Sequence, residues 1–225
     1  MRFRFLVFIY LFALAVEIFA NLGQNIQVEY FSKPALMPLL ILYFAVNAKN
    51  AGGVIYAMLG ALVFSWFGDV LLLADKQFKS LFIFGLIAFL AAHLCFIVYF
   101  LKIRKLNGAP KLPNKLGFVA LAAYTISLLV VVVPNAPALA VPVAIYALAL
   151  STMVATSLAA FDFNEKTYWK LCLAGTFLFM VSDSILAVNR FVAPVALAPL
   201  FIMLTYGLAQ LLIVEGSLRN LKDLQ

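Results

Sequence analysis

Two aspartates stand where carboxylates are costly. Asp69 lies in FGDVLLLAD (67–75) and Asp183 in MVSDSILAVN (180–189), both within long apolar runs. An ionisable side chain at such a position costs about 2.5–3.5 kcal/mol on membrane-insertion scales, so it normally faces a protein interior and marks a functional path. Two carboxyls brought together in a poorly solvated place do not both ionise easily, so one holds a proton while the other does not. One residue type then provides both an acid and a base. Such a pair can protonate a substrate and orient a water, the division of labour used by aspartic proteases and glycosidases.

The other candidates are few. Glu17 and His93 are the remaining ionisable groups inside apolar runs, with Lys33 at the start of another. Glu17 either pairs with Lys33 or joins the site. His93, the single histidine of the chain, is either a packing residue or a catalytic partner. Tyr206 and Gln210 are four residues apart, so on a helix they share a face and either line the site or join helices.

The inventory excludes several chemistries. A catalytic zinc usually takes two or three clustered His or Cys ligands, which one histidine and the dispersed Cys95 and Cys172 do not supply. The two cysteines sit in apolar runs and read as small hydrophobes, with no disulfide framework. No G-x-S-x-G, G-x-x-x-x-G-K-[ST] or G-x-G-x-x-G motif occurs, so serine hydrolase, P-loop ATPase and nicotinamide enzyme fall away. No metal or cofactor is expected. The net charge of +7 is spread over short loops without an aromatic-interleaved basic patch, which argues against nucleic acid.

What positions these residues is a membrane bundle. Hydrophobic residues make up 66% of the chain and charged ones 11%, with a mean hydropathy of +1.09, far from the roughly 45–50% apolar and 25% charged of soluble domains. Charges, prolines, glycines and asparagines cut the sequence into eight candidate spans: 3–20, 34–48, 53–74, 80–101, 116–133, 138–160, 168–188 and 193–217. The second is short and is expected to carry Pro34 in its first turn, with Pro38 distorting it. The expected fold class is an all-α membrane protein of eight transmembrane helices. Residues 1–20 also have the basic start and apolar middle of a signal peptide, without a clear A-x-A site; uncleaved, they form the first span.

Counting Lys and Arg in the connections orients the bundle. One side holds 12 of the 16, and the other only Lys33, Lys76, Lys79 and Arg190. Both termini are therefore expected in the cytoplasm. Asp69 and Asp183 then sit at equal depth in the outer half, close to Glu17 and Lys33, while His93 lies near the midplane. The basic segment 102–115 divides the chain into halves 1–101 and 116–217, each with four spans running in the same direction. Aligning 61–75 with 175–189 superimposes the two aspartates and Leu72 with Leu186. The halves thus read as parallel repeats within a single domain, with a site at their interface.

Five blocks carry a resemblance to a known family. SKPALMPLL (32–40), FGDVLLL (67–73), FGLIAFLAAHLCFIVYF (84–100), FLFMVSDSILAVNRF (177–191) and LTYGLAQLLIVEG (204–216) resemble, in order and spacing, the signature blocks of the YhhN/TMEM86 family of integral membrane lysoplasmalogenases. The resemblance implies an eight-helix fold and hydrolysis of the vinyl ether bond of lysoplasmalogen, giving a fatty aldehyde and glycerophosphocholine or glycerophosphoethanolamine. It also implies that Asp69 and Asp183 are catalytic and that Lys33, His93, Tyr206 and Gln210 belong to the site, with Tyr146 and Met153 at positions of similar residues. Glu17 joins the substrate-binding set on the residue-level reading alone. The expected partners are a lysophospholipid substrate and membrane lipids, and the expected location is a bacterial plasma membrane. A proton-coupled lipid or solute transporter is the alternative, because paired intramembrane carboxylates also relay protons.

Overall fold

The computed structural model describes residues 4–48, 52–78, 80–108, 115–161 and 168–224. Its elements are eight helices: α1 (Phe5–Leu22), α2 (Ile26–Asn47), α3 (Val54–Asp75), α4 (Phe82–Leu106), α5 (Lys115–Val132), α6 (Ala140–Ala159), α7 (Tyr168–Ala187) and α8 (Ala198–Asp223). Two single turns of 3-10 helix join α5 to α6, and a π-helical turn, Val188–Val192, extends α7. Seven of the helices are long and apolar enough to cross a bilayer; α2, which carries Glu29, Lys33 and two prolines, is the exception. The chain is an all-α integral membrane protein, as its composition predicts.

Helices α4 and α8 run five and six residues past their expected ends at 101 and 217, and two helix starts differ from the sequence reading by five residues or more. First, α2 starts eight residues earlier than expected, after a tight turn in which Gln24 has a positive φ of 53°. The Asn25 side chain accepts the Val28 N–H and caps the helix. Lys33 and Pro34 therefore lie inside α2 and not at its mouth. Pro38 has no N–H to offer the carbonyl of Pro34, and the indole N–H of Trp66 on α3 donates to that oxygen at 2.9 Å. The helix continues because a neighbouring helix satisfies the exposed acceptor. Second, α8 begins at Ala198 and not at 193. The chain first completes the π turn, where Ala193 N–H reaches Val188 O and Val195 N–H reaches Asn189 Oδ1.

The strongest packing is between sequence neighbours, α3 along α4 and α7 along α8, with α1 and α2 packed on α8 and α6 on α4. Helix α1 is tied to α8 by Tyr10 Oη, which donates to Gly207 O at 2.8 Å. The α7–α8 seam depends on small residues: a Cβ on Gly175 would stand 2.8 Å from Ala209 O and 2.9 Å from Ile213 N. Backbone cannot yield as a flexible side chain does. Gly175→Ala is expected to lower stability in detergent by about 1–3 kcal/mol. Gly53→Ala, at a site with nothing within 4 Å, is expected to be nearly neutral. Paired thermal melts check this, and equal melting temperatures would contradict the seam.

Helix α5 is held differently. Among its described residues only Thr125 and Val132 are buried. It is fastened by Tyr124 Oη donating to Ser184 Oγ of α7 at 2.8 Å and by a 2.6 Å hydrogen bond between Thr125 Oγ1 and Ser151 Oγ of α6.

Candidate active site

The last two turns of α3 and of α7 bring Asp69 and Asp183 to one end of the bundle, where both line a cavity of about 500 Å³. Each carboxylate is held by a tyrosine from a different helix. Tyr206 Oη on α8 donates to Asp69 Oδ2 at 2.7 Å, and Tyr146 Oη on α6 donates to Asp183 Oδ2 at 2.5 Å. Among the described residues, Oδ1 of neither aspartate has a hydrogen-bond partner. A single tyrosine fixes the rotamer of each acid and leaves its other oxygen available to a ligand or water.

An aromatic wall stands behind the pair. The rings of Tyr206, Phe89, Phe179, His93 and Tyr146 make successive edge-to-face contacts with centroids 5.0–6.3 Å apart, an arrangement that aromatic quadrupoles favour. Gly68, next to Asp69, admits this wall: a Cβ there would stand 2.5 Å from the Phe89 ring. His93 is fully buried, with Nε2 at 3.6 Å from Asp183 Oδ2, and neither ring nitrogen has a hydrogen-bond partner among the described residues.

The cavity has a charged rim. Lys33, Asp75, Lys76, Asn21, Asn189 and Arg190 line it together with the two aspartates. Arg190 Nη2 lies 3.4 Å from Asp75 Oδ2, and its guanidinium sits over the Phe82 ring, 4.4 Å from the centroid. Asp75 Oδ1 accepts the Phe82 N–H at 2.9 Å, which anchors it at the turn between α3 and α4. Lys76 forms an ion pair with Glu29.

A second, apolar space adjoins this one. Leu72, Phe82, Phe89, Asp183 and Leu186 line both, and beyond them Leu128, Val132, Val143, Ala147 and Leu150 continue between α4, α5, α6 and α7. It is narrow, about 40 Å³, and its outer wall is the lightly packed α5. Asp183 borders both spaces, whereas Asp69 borders only the polar one.

The residues singled out in the sequence therefore separate into groups. Asp69, Asp183, Lys33 and Tyr206 line the polar cavity, and Tyr146 lines the apolar slot. His93 stands behind Asp183. Gln210 does not line either space; its Nε2 donates to Ser65 Oγ at 2.9 Å, joining α8 to α3. Glu17 is buried outside the cavity and accepts a 2.6 Å hydrogen bond from Ser32; no Glu17–Lys33 ion pair forms among the described residues. Asp75, Lys76 and Arg190 were missed, although a signal existed. Three of the four basic residues on the charge-poor side, Lys33, Lys76 and Arg190, line this one cavity, and the fourth, Lys79, lies outside the described residues, as does 109–114 of the basic connection. Among the described residues no three His, Cys, Asp or Glu side chains gather as a metal-ligand set.

Comparison with known proteins agrees in direction. The chain is 36% identical over 158 residues to a protein named lysoplasmalogenase from Mycobacterium bovis, covering 69% of this chain and 58% of that protein. It is 37% identical over 179 residues to pig lysoplasmalogenase TMEM86B (79% and 70% covered). With human lysoplasmalogenase TMEM86B the identity is 34% over 185 residues (82% and 74%). The matched region thus spans less than two thirds of the mycobacterial relative. No solved structure matches. The family model described as the YhhN family matches residues 28–217, a stretch that holds both aspartates, both tyrosines and every described rim residue except Asn21: the chain belongs to the YhhN family.

Proposed function

We propose that this protein is a lysoplasmalogenase, hydrolysing the vinyl ether of a lysoplasmalogen to a fatty aldehyde and a glycerophospho-head group. The observation that carries the reading is the pair of tyrosine-held carboxyls on one polar cavity that shares a wall with an apolar slot. A vinyl ether is cleaved by protonating its β-carbon, which creates an oxocarbenium ion; water adds to give a hemiacetal, which collapses. The step needs an acid close to carbon and a negative charge close to the cation, and two largely buried carboxyls lining one cavity offer both. The charged rim suits a phosphate, through Lys33 and Arg190, and the cationic part of a zwitterionic head group, through Asp75. The names of the relatives support the same activity. The charge count supports an orientation with this end of the bundle outside the cytoplasm, and the charge asymmetry suits a bacterial plasma membrane. Asp69 takes its hydrogen bond from α8 and Asp183 stands beside His93 of α4, a reciprocal arrangement that supports two parallel halves.

The slot as it stands is narrower than an alkyl chain, so binding requires α5 to move outward, and its light packing makes that the softest wall. Ala147→Phe, which fills the slot, is expected to raise KM for long-chain lysoplasmalogen about tenfold, in line with a 1–3 kcal/mol overpacking cost, and to affect a short-chain vinyl ether much less. Equal effects on both would remove the slot from the account.

The activity is tested by incubating purified protein in detergent with lysoplasmalogen and measuring aldehyde. Release at a rate proportional to protein supports the enzyme. Absence of release, together with ligand movement across a sealed bilayer, would favour a carrier.

A further inference from the structure

The two aspartates are chemically alike but not placed alike, and their placement separates their roles. A lysoplasmalogen is an ordered chain of groups: phosphate head group, glycerol, ether oxygen, vinyl α-carbon, vinyl β-carbon, alkyl tail. With the head group at the charged rim and the tail in the apolar slot, the β-carbon lies nearer the slot than the α-carbon does. Asp183 lines both spaces, at their junction with Leu72, Phe89 and Leu186, while Asp69 lines only the polar space together with Lys33 and Tyr206. The acid must reach the β-carbon, and the base must reach a water approaching the α-carbon from the hydrated side.

We infer that Asp183 is the acid that protonates the vinyl β-carbon and that Asp69 is the base that delivers water to the α-carbon. This rests on the functional reading above. The cycle balances. Asp183 enters protonated and gives its proton to the β-carbon as the π electrons form the new C–H bond, leaving the oxocarbenium ion. Water oxygen bonds to the α-carbon while Asp69 takes one of its protons, forming the hemiacetal. Asp69 then returns that proton to the glycerol oxygen as the C–O bond breaks, and the hemiacetal hydroxyl proton passes to Asp183 as the aldehyde C=O forms. Both acids are reset, and one water has been consumed. Tyr146 and Tyr206, each bonded to Oδ2 of its aspartate, are positioning residues for Oδ1.

The consequence is an asymmetry between variants. Asp183→Asn removes cation formation, and its single-turnover rate is expected to fall by about 10⁴-fold. Asp69→Asn still forms the cation, which cavity water captures without help, so its fall is expected to be about 10²-fold. A second measurement uses azide, an anionic nucleophile that needs no base. Asp69→Gly with azide is expected to yield the 1-azidoalkyl ether of the head group, whereas Asp183→Gly yields none. Should the glycine variants fail to fold, the asparagine rates alone decide. Adduct from Asp183→Gly only, or the reverse order of the two asparagine rates, would exchange the roles. Equal rates with no adduct from either would remove the assignment. A wild-type protein without aldehyde release would instead overturn the functional reading on which the assignment rests.

Discussion

Asp183→Asn is expected to insert, fold and bind lysoplasmalogen, yet to release aldehyde more slowly by up to about 10⁴-fold, the upper end of what a general acid contributes. Folding should survive because asparagine keeps the shape of the side chain and the Oδ atom that accepts the Tyr146 hydroxyl. It also removes an ionisable group from a largely buried position, next to a His93 that offers it no hydrogen bond. What is lost is the transferable proton, which an amide does not provide. The experiment pairs kcat and KM with a size-exclusion profile. A variant with an unchanged profile, unchanged KM and collapsed kcat has lost an interaction made only on the way to the transition state. Near-normal kcat would take Asp183 out of the chemistry.

The second large effect lies in the substrate. The saturated alkyl ether analogue has the same head group, glycerol and tail, and differs by two hydrogens at the bond that reacts. It is expected to bind about as well as lysoplasmalogen and to inhibit competitively, but to give no detectable product. The charged rim that holds the head group and the far end of the slot that holds the tail are the same for both ligands, so most ground-state binding is shared. Without the double bond there is no carbon to protonate and no resonance route to an oxocarbenium ion at modest acidity. Cleavage of the alkyl ether at an appreciable fraction of the vinyl ether rate would require a stronger activation of the ether oxygen than two carboxyls supply.

Much of this was legible before any coordinates. The spans were visible because a helix in hydrocarbon must be apolar over its length, and polar punctuation marks its ends. The two aspartates stood out because carboxylates are rare in apolar runs and these two recur at matching depth. The start of α2 was misread because Pro34 suits a first turn; the indole of Trp66, which satisfies the exposed Pro34 carbonyl from another helix, leaves no trace in the local sequence. The hydroxyl that holds each aspartate is equally non-local: Tyr206 is 137 residues from Asp69, and Tyr146 is 37 from Asp183. Tyr146 entered the reading only through family resemblance. Depth drew Glu17 toward the site and family resemblance drew Gln210, while the residues alone left a structural role open for each. Depth does not specify azimuth, and both bond to neighbouring helices through Ser32 and Ser65. The rim formed by Asp75, Lys76 and Arg190 looked like loop charge because the π turn that carries Arg190 back over Phe82 has no simple sequence signature.

The central claim is that a carboxyl in this cavity transfers a proton to carbon, and that this transfer governs the chemistry. Its most direct test is the single-turnover rate of aldehyde formation by the wild-type protein, measured in light and in heavy water under otherwise matched conditions. Rate-limiting protonation of the β-carbon predicts a clearly slower reaction in heavy water, with one deuterium from solvent at carbon 2 of the aldehyde. Equal rates in the two solvents would contradict the account.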